Sequence, residues 1–139
     1  MPMFSKMFNQ VGLMSQGLDT AWLRHEVSSN NISNIDTPGY KARHVLFETE
    51  MRNALSGKGS MEGVTTHRNH FKIGGVPNPA NVRPVTITAN HHTARMDGNN
   101  VNIDSEMANL AENYIRYSAL TSQVNSEFIK LRMVIREQA

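Results

Sequence analysis

The chain has no cysteine among its 139 residues. This absence excludes a disulfide framework, a catalytic thiol and a cysteine-ligated zinc site. No apolar run approaches the roughly 18 residues that a membrane-spanning helix needs. The first eight residues also lack the continuous apolar segment of a cleavable secretion signal. We therefore expect a protein without a membrane span that carries no cleaved signal peptide.

Large apolar residues are scarce as well. Leu, Ile, Val and Phe together make up about 22% of the residues, near the roughly 20% at which chains become disordered. The formal net charge is only +2, and the basic residues are spread along the chain. A nucleic-acid binder would need them clustered on one face with aromatic residues between them. We predict a thin core that partner surfaces complete, and no nucleic-acid partner.

Residues at alternating three- and four-residue intervals follow the a/d pattern of a coiled-coil helix over the first 35 residues. Pro2 suits a first helical turn, and Pro38-Gly39 predicts the turn that follows, so we predict one helix over about residues 3–34. His25 is interpreted as a packed polar residue of this seam. The positions are Phe4, Met7, Val11, Met14, Leu18, Ala21, His25, Ser28, Ile32 and Ile35.

A second pattern of the same period occupies the C-terminal third. It predicts a helix of about 32 residues that is N-capped by Asp104. Arg132 and Arg136 lie near its end, where cations complement the helix dipole. The positions are Ile103, Met107, Leu110, Tyr114, Tyr117, Thr121, Val124, Phe128, Leu131 and Ile135.

The stretch between these patterns is polar and rich in glycine and proline. Within it, residues 85–88 predict a short strand and residues 71–73 a weaker one. Residues 45–55 predict a short helix. Its apolar face is expected to comprise Phe47, Met51 and Leu55.

Because this middle offers little apolar surface, we expect the two long helices to pair with each other. The alternative is that each packs on a globular middle. The predicted fold is mainly α. Residues 1–36 and 100–139 form an antiparallel coiled-coil stalk, and residues 37–99 form a small, partly flexible central module that contains β structure.

The sequence contains no recognisable catalytic constellation. Two histidine pairs, His67/His70 and His91/His92, lack the three or four ligands that a zinc site requires, and we interpret them as solvated loop residues. The acidic residues are scattered, and no serine has a supporting His/Asp set. We predict a protein that is not an enzyme and has no metal, cofactor or small-molecule substrate.

Residues 28–34 contain six Ser and Asn residues at the end of the first predicted helix. These side chains compete for backbone hydrogen bonds and lower helix stability. The cluster is either a frayed helix end or a surface that hydrogen-bonds neighbouring subunits. The residue pattern alone leaves both interpretations open.

Residues 29–41 read Ser-Asn-Asn-Ile-Ser-Asn-Ile-Asp-Thr-Pro-Gly-Tyr-Lys. This segment resembles the N-terminal signature of bacterial flagellar basal-body rod and hook proteins. Residues 100–113 resemble a second motif of the same family, with Asn102 and Ser105 in place of the usual acidic residues. The continuation over 116–121 and the short chain are most similar to the proximal rod member. The motif residues expected to contact other subunits are Asn30, Asn31, Ile32, Asn34, Thr37, Pro38, Gly39 and Tyr40.

The resemblance implies a structural subunit of the rod, the drive shaft that crosses the periplasm. It implies type III export without signal cleavage. The implied partners are other rod proteins, further copies of this chain, membrane-ring or rod-junction proteins and the export apparatus. Two alternatives stay open: another member of the rod family, or an exported adaptor that joins the rod to the membrane ring or export gate. A metal-dependent enzyme is a remote third.

In an antiparallel pair, the start of one helix lies beside the end of the other. Phe4, Met7, Val11, Met14 and Leu18 are therefore expected to pack on Val124, Phe128, Leu131 and Ile135. The full set of predicted coiled-coil residues adds Ile32, Met107, Leu110, Tyr114 and Tyr117.

Overall fold

Two long helices dominate the computed structural model, which describes residues 2–57, 78–90 and 95–137. The elements in chain order are α1 (Pro2–Ser33), β1 (Arg43–Leu46), α2 (Glu48–Leu55), a 3-10 turn (Pro79–Asn81), β2 (Val85–Thr88) and α3 (Ile103–Glu137). This architecture confirms the predicted mainly α fold with long terminal helices and a small amount of β structure between them. None of the helices in the described ranges is both long and apolar enough to cross a membrane.

Helices α1 and α3 pack against each other in antiparallel orientation. The Asn113 side-chain amide donates to the Ala21 carbonyl at 2.8 Å. Further along, a Cβ added at Gly17 would lie 3.2 Å from Leu120 Cδ1. Contacts therefore move toward the start of α1 as they move toward the end of α3. The absence of a side chain at Gly17 makes room for Leu120 in this close approach.

On α3, three of the predicted seam positions lie one residue after a buried one. Leu131 is buried, and Leu110 and Val124 are half-buried, as a packing seam requires. The other buried residues of α3 are polar: Glu106, Asn113 and Glu127. The apolar residues of the predicted seam that are exposed instead are Ile103, Met107, Tyr114, Tyr117, Phe128 and Ile135.

Hydrogen bonding explains why polar residues can occupy the α1–α3 contact. Asn113 bonds across to α1, and the buried Glu127 carboxylate accepts from Lys130 Nζ at 2.8 Å and from Gln123 Nε2 at 3.1 Å. A buried polar group is tolerated when it has such partners. Among the described residues, Asn113 Oδ1 and Glu106 Oε2 are buried atoms without a hydrogen-bond partner, so this explanation covers Asn113 Nδ2 and the Glu127 carboxylate. A prediction based on apolar residues passes over these polar positions. It therefore places the packing seam of α3 on a different side of the helix from the side that is buried.

On α1, most of the predicted seam positions whose side chains are described are buried or half-buried. Ala21 is buried, and Val11, Met14, Leu18 and Ile32 are half-buried. The side chains of Phe4 and Met7 lie outside the described residues, so their packing stays a prediction. His25 is exposed, which corrects its interpretation as a packed residue. Its ring lies beside that of Trp22, with the ring centres 6.3 Å apart.

Helix α3 begins earlier than its predicted cap. Asn102 Oδ1 accepts from the Ser105 N–H at 3.2 Å, and the Asn102 carbonyl accepts the first helical bond, from Glu106, at 3.0 Å. The N-cap is therefore Asn102, and the prediction of Asp104 was wrong. Asp104 instead lies in the first turn, where its charge favours the positive end of the helix dipole.

The described residues divide into two compact units, one within residues 46–85 and the other within residues 1–45 and 86–139, and the central module over 37–99 stays a prediction. In the smaller unit, Phe47, Ala54 and Val82 are buried together, with Met51 packed against them. Leu55 is 60% exposed, so the predicted face was wrong at that residue. Ala54 replaces it because seven residues are close to two full helical turns.

Strands β1 and β2 form a two-stranded sheet. The Ala89 N–H, just after β2, donates to the Ala42 carbonyl, just before β1, at 2.8 Å, which defines an antiparallel pair. The strand predicted over 85–88 is confirmed. The weaker strand over 71–73 and the two histidine pairs lie outside the described residues.

Candidate functional site

The segment that follows α1 and the segment that precedes α3 meet in one hydrogen-bonded structure. We call residues 31–43 together with 97–101 the motif joint. It contains the two stretches of sequence with the strongest motif character, and its buried polar residues are asparagines.

The end of α1 is well hydrogen-bonded. Asn34 N and Ile35 N donate to the carbonyls three residues earlier, which tightens the chain into turns after Ser33. The side chains of Asn30, Ser33 and Asn34 each bond to the carbonyl four residues back. These bonds occupy the side chains of Asn30, Ser33 and Asn34 within their own helix end, so the cluster forms ordered turns in place of a frayed end.

Asn31 is fully buried and binds the start of β1. Its Nδ2 donates to the Arg43 carbonyl at 2.8 Å, and its Oδ1 accepts from the Arg43 N–H at 3.0 Å. Oδ1 also accepts from the Tyr40 hydroxyl at 3.3 Å. The side-chain amide thus pairs with both backbone groups of one residue, as a neighbouring strand would. Asn31 was predicted to contact other subunits, and its burial within its own chain corrects that prediction.

Asn99 holds the other side of the joint and is also fully buried. Its Nδ2 lies 2.9 Å from the carbonyls of Asn34 and Ile35, and 3.0 Å from that of Thr37. Its Oδ1 accepts from the Val101 N–H at 2.7 Å. One side chain therefore ties together three carbonyls of the turn that follows α1, two of which also accept a backbone N–H.

Asn100, the residue after Asn99, bonds to the two residues that flank the sheet. Its Oδ1 accepts from the Ala42 N–H and its Nδ2 donates to the Ala89 carbonyl, both at 2.7 Å. Beneath these bonds lies a small apolar core of Ala42, Ala89 and Val101, against which Ile35 and Tyr40 pack. Asn100 is the first residue of the second motif, whereas Asn99 lies just before it, and the abundance of Asn, at 15 residues, was the available signal for Asn99.

Two glycines allow the segments to touch. Gly39 and Gly98 have φ of +73° and +76°, a region that favours glycine, and a Cβ on Gly98 would lie 3.6 Å from the Cα of Gly39. The Gly39 N–H donates to the Asp97 carbonyl at 2.8 Å, and Lys41 Nζ donates to the Gly98 carbonyl at 2.6 Å. The Pro38-Gly39 turn thus docks directly on the segment before α3.

The predicted subunit-contact residues therefore divide into two groups. Asn31 is buried, while Ile32, Asn34 and Tyr40 are half-buried within the joint. Asn30, Thr37, Pro38 and Gly39 are exposed. Contact with other subunits remains a prediction for the exposed group.

Within the motif joint, the pKa of Asp97 is clearly shifted. The Arg95 guanidinium, which donates to the carboxylate at 2.7 Å, and the Asn99 N–H hold the pKa of Asp97 below its usual value. A depressed pKa in the folded state stabilises the fold above the unfolded pKa of about 3.9. That contribution is lost as the pH falls through the lower, folded value.

We therefore expect Arg95→Met to raise the pKa of Asp97 toward its unfolded value. Carboxyl ¹³C NMR titration measures this directly, and Arg83→Met, at an exposed arginine elsewhere, serves as the control. The variant should be less stable than the parent near neutral pH and should lose less stability as the pH falls below about 4, because Asp97 then titrates alike in the folded and unfolded chains. A pKa of Asp97 that is equal in both proteins would contradict the ion-pair assignment.

A second feature is an exposed apolar groove on the α1–α3 pair, with a volume of about 790 Å³. Trp22 is 67% exposed and Tyr114 is 73% exposed. We call it the apolar groove; its principal side chains are Trp22, His25, Met107, Tyr114, Ile115 and Tyr117.

The described residues hold no group of three or more His, Cys, Asp or Glu side chains that could bind a metal ion. In the motif joint the amides bond to backbone groups, and Arg95 pairs with Asp97. The arrangement is therefore suited to fixing two chain segments and to presenting an apolar face.

Comparison with known proteins identifies the family. Residues 15–41, the second half of α1 with the following turn, match the family described as Flagella basal body rod protein. The chain is 32% identical over 123 residues to the flagellar basal body rod protein FlgB of Bacillus subtilis (strain 168), covering 88% of this chain and 89% of that protein.

Other relatives align over even more of the chain. The FlgB of Borrelia hermsii is 35% identical over 131 residues, covering 91% of this chain and 95% of that protein. The FlgB of Proteus mirabilis (strain HI4320) is 31% identical over 140 residues, covering 98% and 99%. Since these similarities span both long helices and the motif joint, the chain belongs to the family of FlgB flagellar basal body rod proteins.

Proposed function

We propose that this chain is a structural subunit of the proximal rod of the bacterial flagellar basal body. The observation that carries the proposal is the similarity to FlgB rod proteins over nearly the whole of both chains. The protein assembles with other rod proteins and with further copies of itself. An adaptor that joins the rod to the membrane ring is not favoured, because the relatives matched along the full length are rod proteins.

The apolar groove supports an assembly role. Exposed patches of this kind mark protein–protein contacts, and Trp and Tyr are the residues that most often dominate binding energy. Trp22 lies fourteen residues after the exposed Phe8, and Tyr114 lies fourteen residues before the exposed Phe128. The members of each pair are two heptads apart, so both lie on the same side of their helix. A further helix can pack along that side and contact both. We infer that helices of neighbouring subunits lie against this face.

The proposed role also includes export of the chain before it assembles. A chain without cysteine and with a thin core suits passage in unfolded form, and binding to neighbours then stabilises the folded state by mass action. We propose type III export without a cleaved signal peptide, and contacts with rod-junction and membrane-ring proteins at the base of the rod. We also propose that the protein catalyses no reaction.

Trp22→Ser tests the assembly role. We expect the variant to fold like the parent, because the indole is mostly exposed in the single chain. Loss of a central aromatic contact costs about 2 kcal/mol or more of binding free energy, so incorporation into basal bodies should fall severely. The measurement is the amount of the chain in purified basal bodies, together with swimming motility.

Leu55→Ser is the matched control, since Leu55 is comparably exposed but lies on α2. It should leave incorporation near the parental level. Normal incorporation of Trp22→Ser would argue against the groove as an assembly contact. Absence of the parent chain itself from basal bodies would overturn the proposed function.

A further inference from the structure

Asp97 and Gly98 form the only Asp-Gly pair in the chain. At such a pair the backbone nitrogen of the glycine can attack the side-chain carboxyl carbon of the aspartate, because glycine has no Cβ to hinder the approach. Each of the other aspartates precedes a residue that has a Cβ: Thr20, Thr37 or Ser105. Asp97–Gly98 is therefore the peptide link of this chain that is most open to rearrangement by an aspartate.

The rearrangement has two steps and needs no reactant other than water. In the first step, Gly98 N bonds to Cγ of Asp97, and the carboxyl OH leaves with the amide proton as water, which gives a five-membered cyclic imide. In the second step, water adds back and breaks one of the two C–N bonds of the imide. Breaking the bond at Cγ restores aspartate, whereas breaking the bond at the main-chain carbonyl carbon gives isoaspartate, in which the chain runs through Cγ. The first step requires a protonated carboxyl, because a carboxylate oxygen is a poor leaving group.

In the folded chain the groups that would react are hydrogen-bonded. Nε of Arg95 donates to both carboxylate oxygens of Asp97 at 3.2 Å, and the guanidinium also donates to Oδ2 at 2.7 Å. The Asn99 N–H donates to Oδ1 at 3.0 Å, and the Gly98 N–H donates to the Arg95 carbonyl at 3.2 Å. Together these bonds restrain the rotation that brings Cγ onto Gly98 N. The bonds from Arg95 and Asn99 also hold the pKa of Asp97 below its usual value, so less of the reactive, protonated carboxyl is present.

We propose that Asp97–Gly98 is a site of spontaneous isomerisation to isoaspartate, and that the closed motif joint suppresses the reaction. Unfolding releases the carboxyl from the geometry that Arg95 and Asn99 impose, so it rotates freely toward Gly98 N. The inference goes beyond the proposed function and does not depend on it, because it concerns a peptide link of the single chain.

Isoaspartate at position 97 should prevent the joint from closing. The main chain gains one carbon between Asp97 and Gly98, and the carbonyl that now accepts from the Gly39 N–H becomes part of a free carboxylate. Asn99 follows directly, and its Nδ2 lies within 3.0 Å of three carbonyls on the other side of the joint. A main chain that is longer by one carbon displaces Asn99 from them. We therefore expect an isomerised chain to be less stable than the parent.

The test is an incubation of the purified chain in mildly acidic H₂¹⁸O buffer, with and without guanidinium chloride. Each passage through the imide places one ¹⁸O in residue 97, and fragmentation mass spectrometry locates both the label and the isoaspartate. We expect isoaspartate at position 97 to form at least about tenfold faster in the denaturant, since the folded chain reacts only when the joint opens. Equal rates in the two conditions, or no isoaspartate at position 97 in the denaturant, would overturn the inference.

Asp36 is the internal control, because its side chain is 94% exposed but the next residue is Thr37. It should isomerise slowly in both conditions. Gly98→Ala is the matched variant in denaturant, where its effect on the fold does not matter, and the added Cβ should slow the reaction several-fold. An unchanged rate would contradict attack by Gly98 N. Arg95→Met should raise the rate in buffer above that of the parent, and no increase would contradict protection by the ion pair.

The isomerised chain, separated from the parent by chromatography, shows the consequence for the joint. Its unfolding midpoint in guanidinium chloride should lie below that of the parent chain. An equal midpoint would contradict the dependence of the joint on residue 97.

Discussion

Replacing Asn99 by alanine should lower the free energy of unfolding by about 3–5 kcal/mol, the largest loss expected from a single polar residue of this chain. The side chain is fully buried and its Nδ2 serves the carbonyls of Asn34, Ile35 and Thr37, while its Oδ1 serves the Val101 N–H. Alanine removes all four of these bonds; the carbonyls of Asn34 and Thr37 keep a backbone donor, from Thr37 and Tyr40, whereas the Ile35 carbonyl and the Val101 N–H lose the partner given above. Urea unfolding of the purified chain, followed by circular dichroism, measures the change.

Two further variants sharpen this test. Asn30→Ala removes an exposed amide that bonds only to the Glu26 carbonyl of its own helix, so its effect should stay within about 0.5 kcal/mol. Asn99→Asp keeps the shape of the side chain but turns an oxygen toward the three carbonyls, and should be at least as damaging as alanine. A loss for Asn99→Ala no larger than that for Asn30→Ala would contradict the structural role of the joint.

Leu131→Asp should block rod assembly while leaving synthesis and export intact. Leu131 is buried in the contact between α1 and α3, so the substitution buries a charge without a partner. The buried carboxylate of Glu127 lies one helical turn earlier and adds repulsion. We expect a loss of about 3 kcal/mol or more in the stability of the single chain.

The measurements are swimming motility, the amount of secreted chain and the unfolding free energy. Ile129→Asp places the same charge on an exposed position of α3 and should cost the single chain far less stability. Normal motility of a strain that carries Leu131→Asp would refute the packing role of this residue.

The sequence predicted most of the secondary structure because its signals are local. Heptad spacing, Pro2 and the Pro38-Gly39 turn delimit α1, and the strand over 85–88 follows from its β-branched residues. The antiparallel pairing of α1 and α3 followed from the polar middle. The motif at residues 29–41 identified the family, which the FlgB relatives confirm.

The side of α3 that faces α1 could not be predicted from the same pattern. Both sides of the helix carry heptad-spaced residues, and the apolar stripe that contains Tyr114 and Phe128 is the more conspicuous in the sequence. The folded chain instead buries Asn113, whose Nδ2 bonds across to α1, and Glu127, whose carboxylate accepts from Lys130 and Gln123. The conspicuous stripe is thereby left exposed for other subunits.

The roles of individual asparagines likewise could not be predicted from the sequence. Asn31 and Asn30 are neighbours in the same motif, yet one is fully buried and the other is exposed. Asn99 bonds to residues more than sixty positions earlier. Such a role depends on the partner that folding brings within 3 Å.

The sequence by itself determined the two long helices, their pairing and the family, since each depends on a periodic or contiguous pattern. Only the tertiary structure decided which faces of the helices meet, which asparagines close the motif joint and where the apolar groove lies. The physical reason is that burial and hydrogen bonding of polar side chains depend on groups distant in sequence. The order of residues along the chain does not show which of these groups come close together in the folded protein.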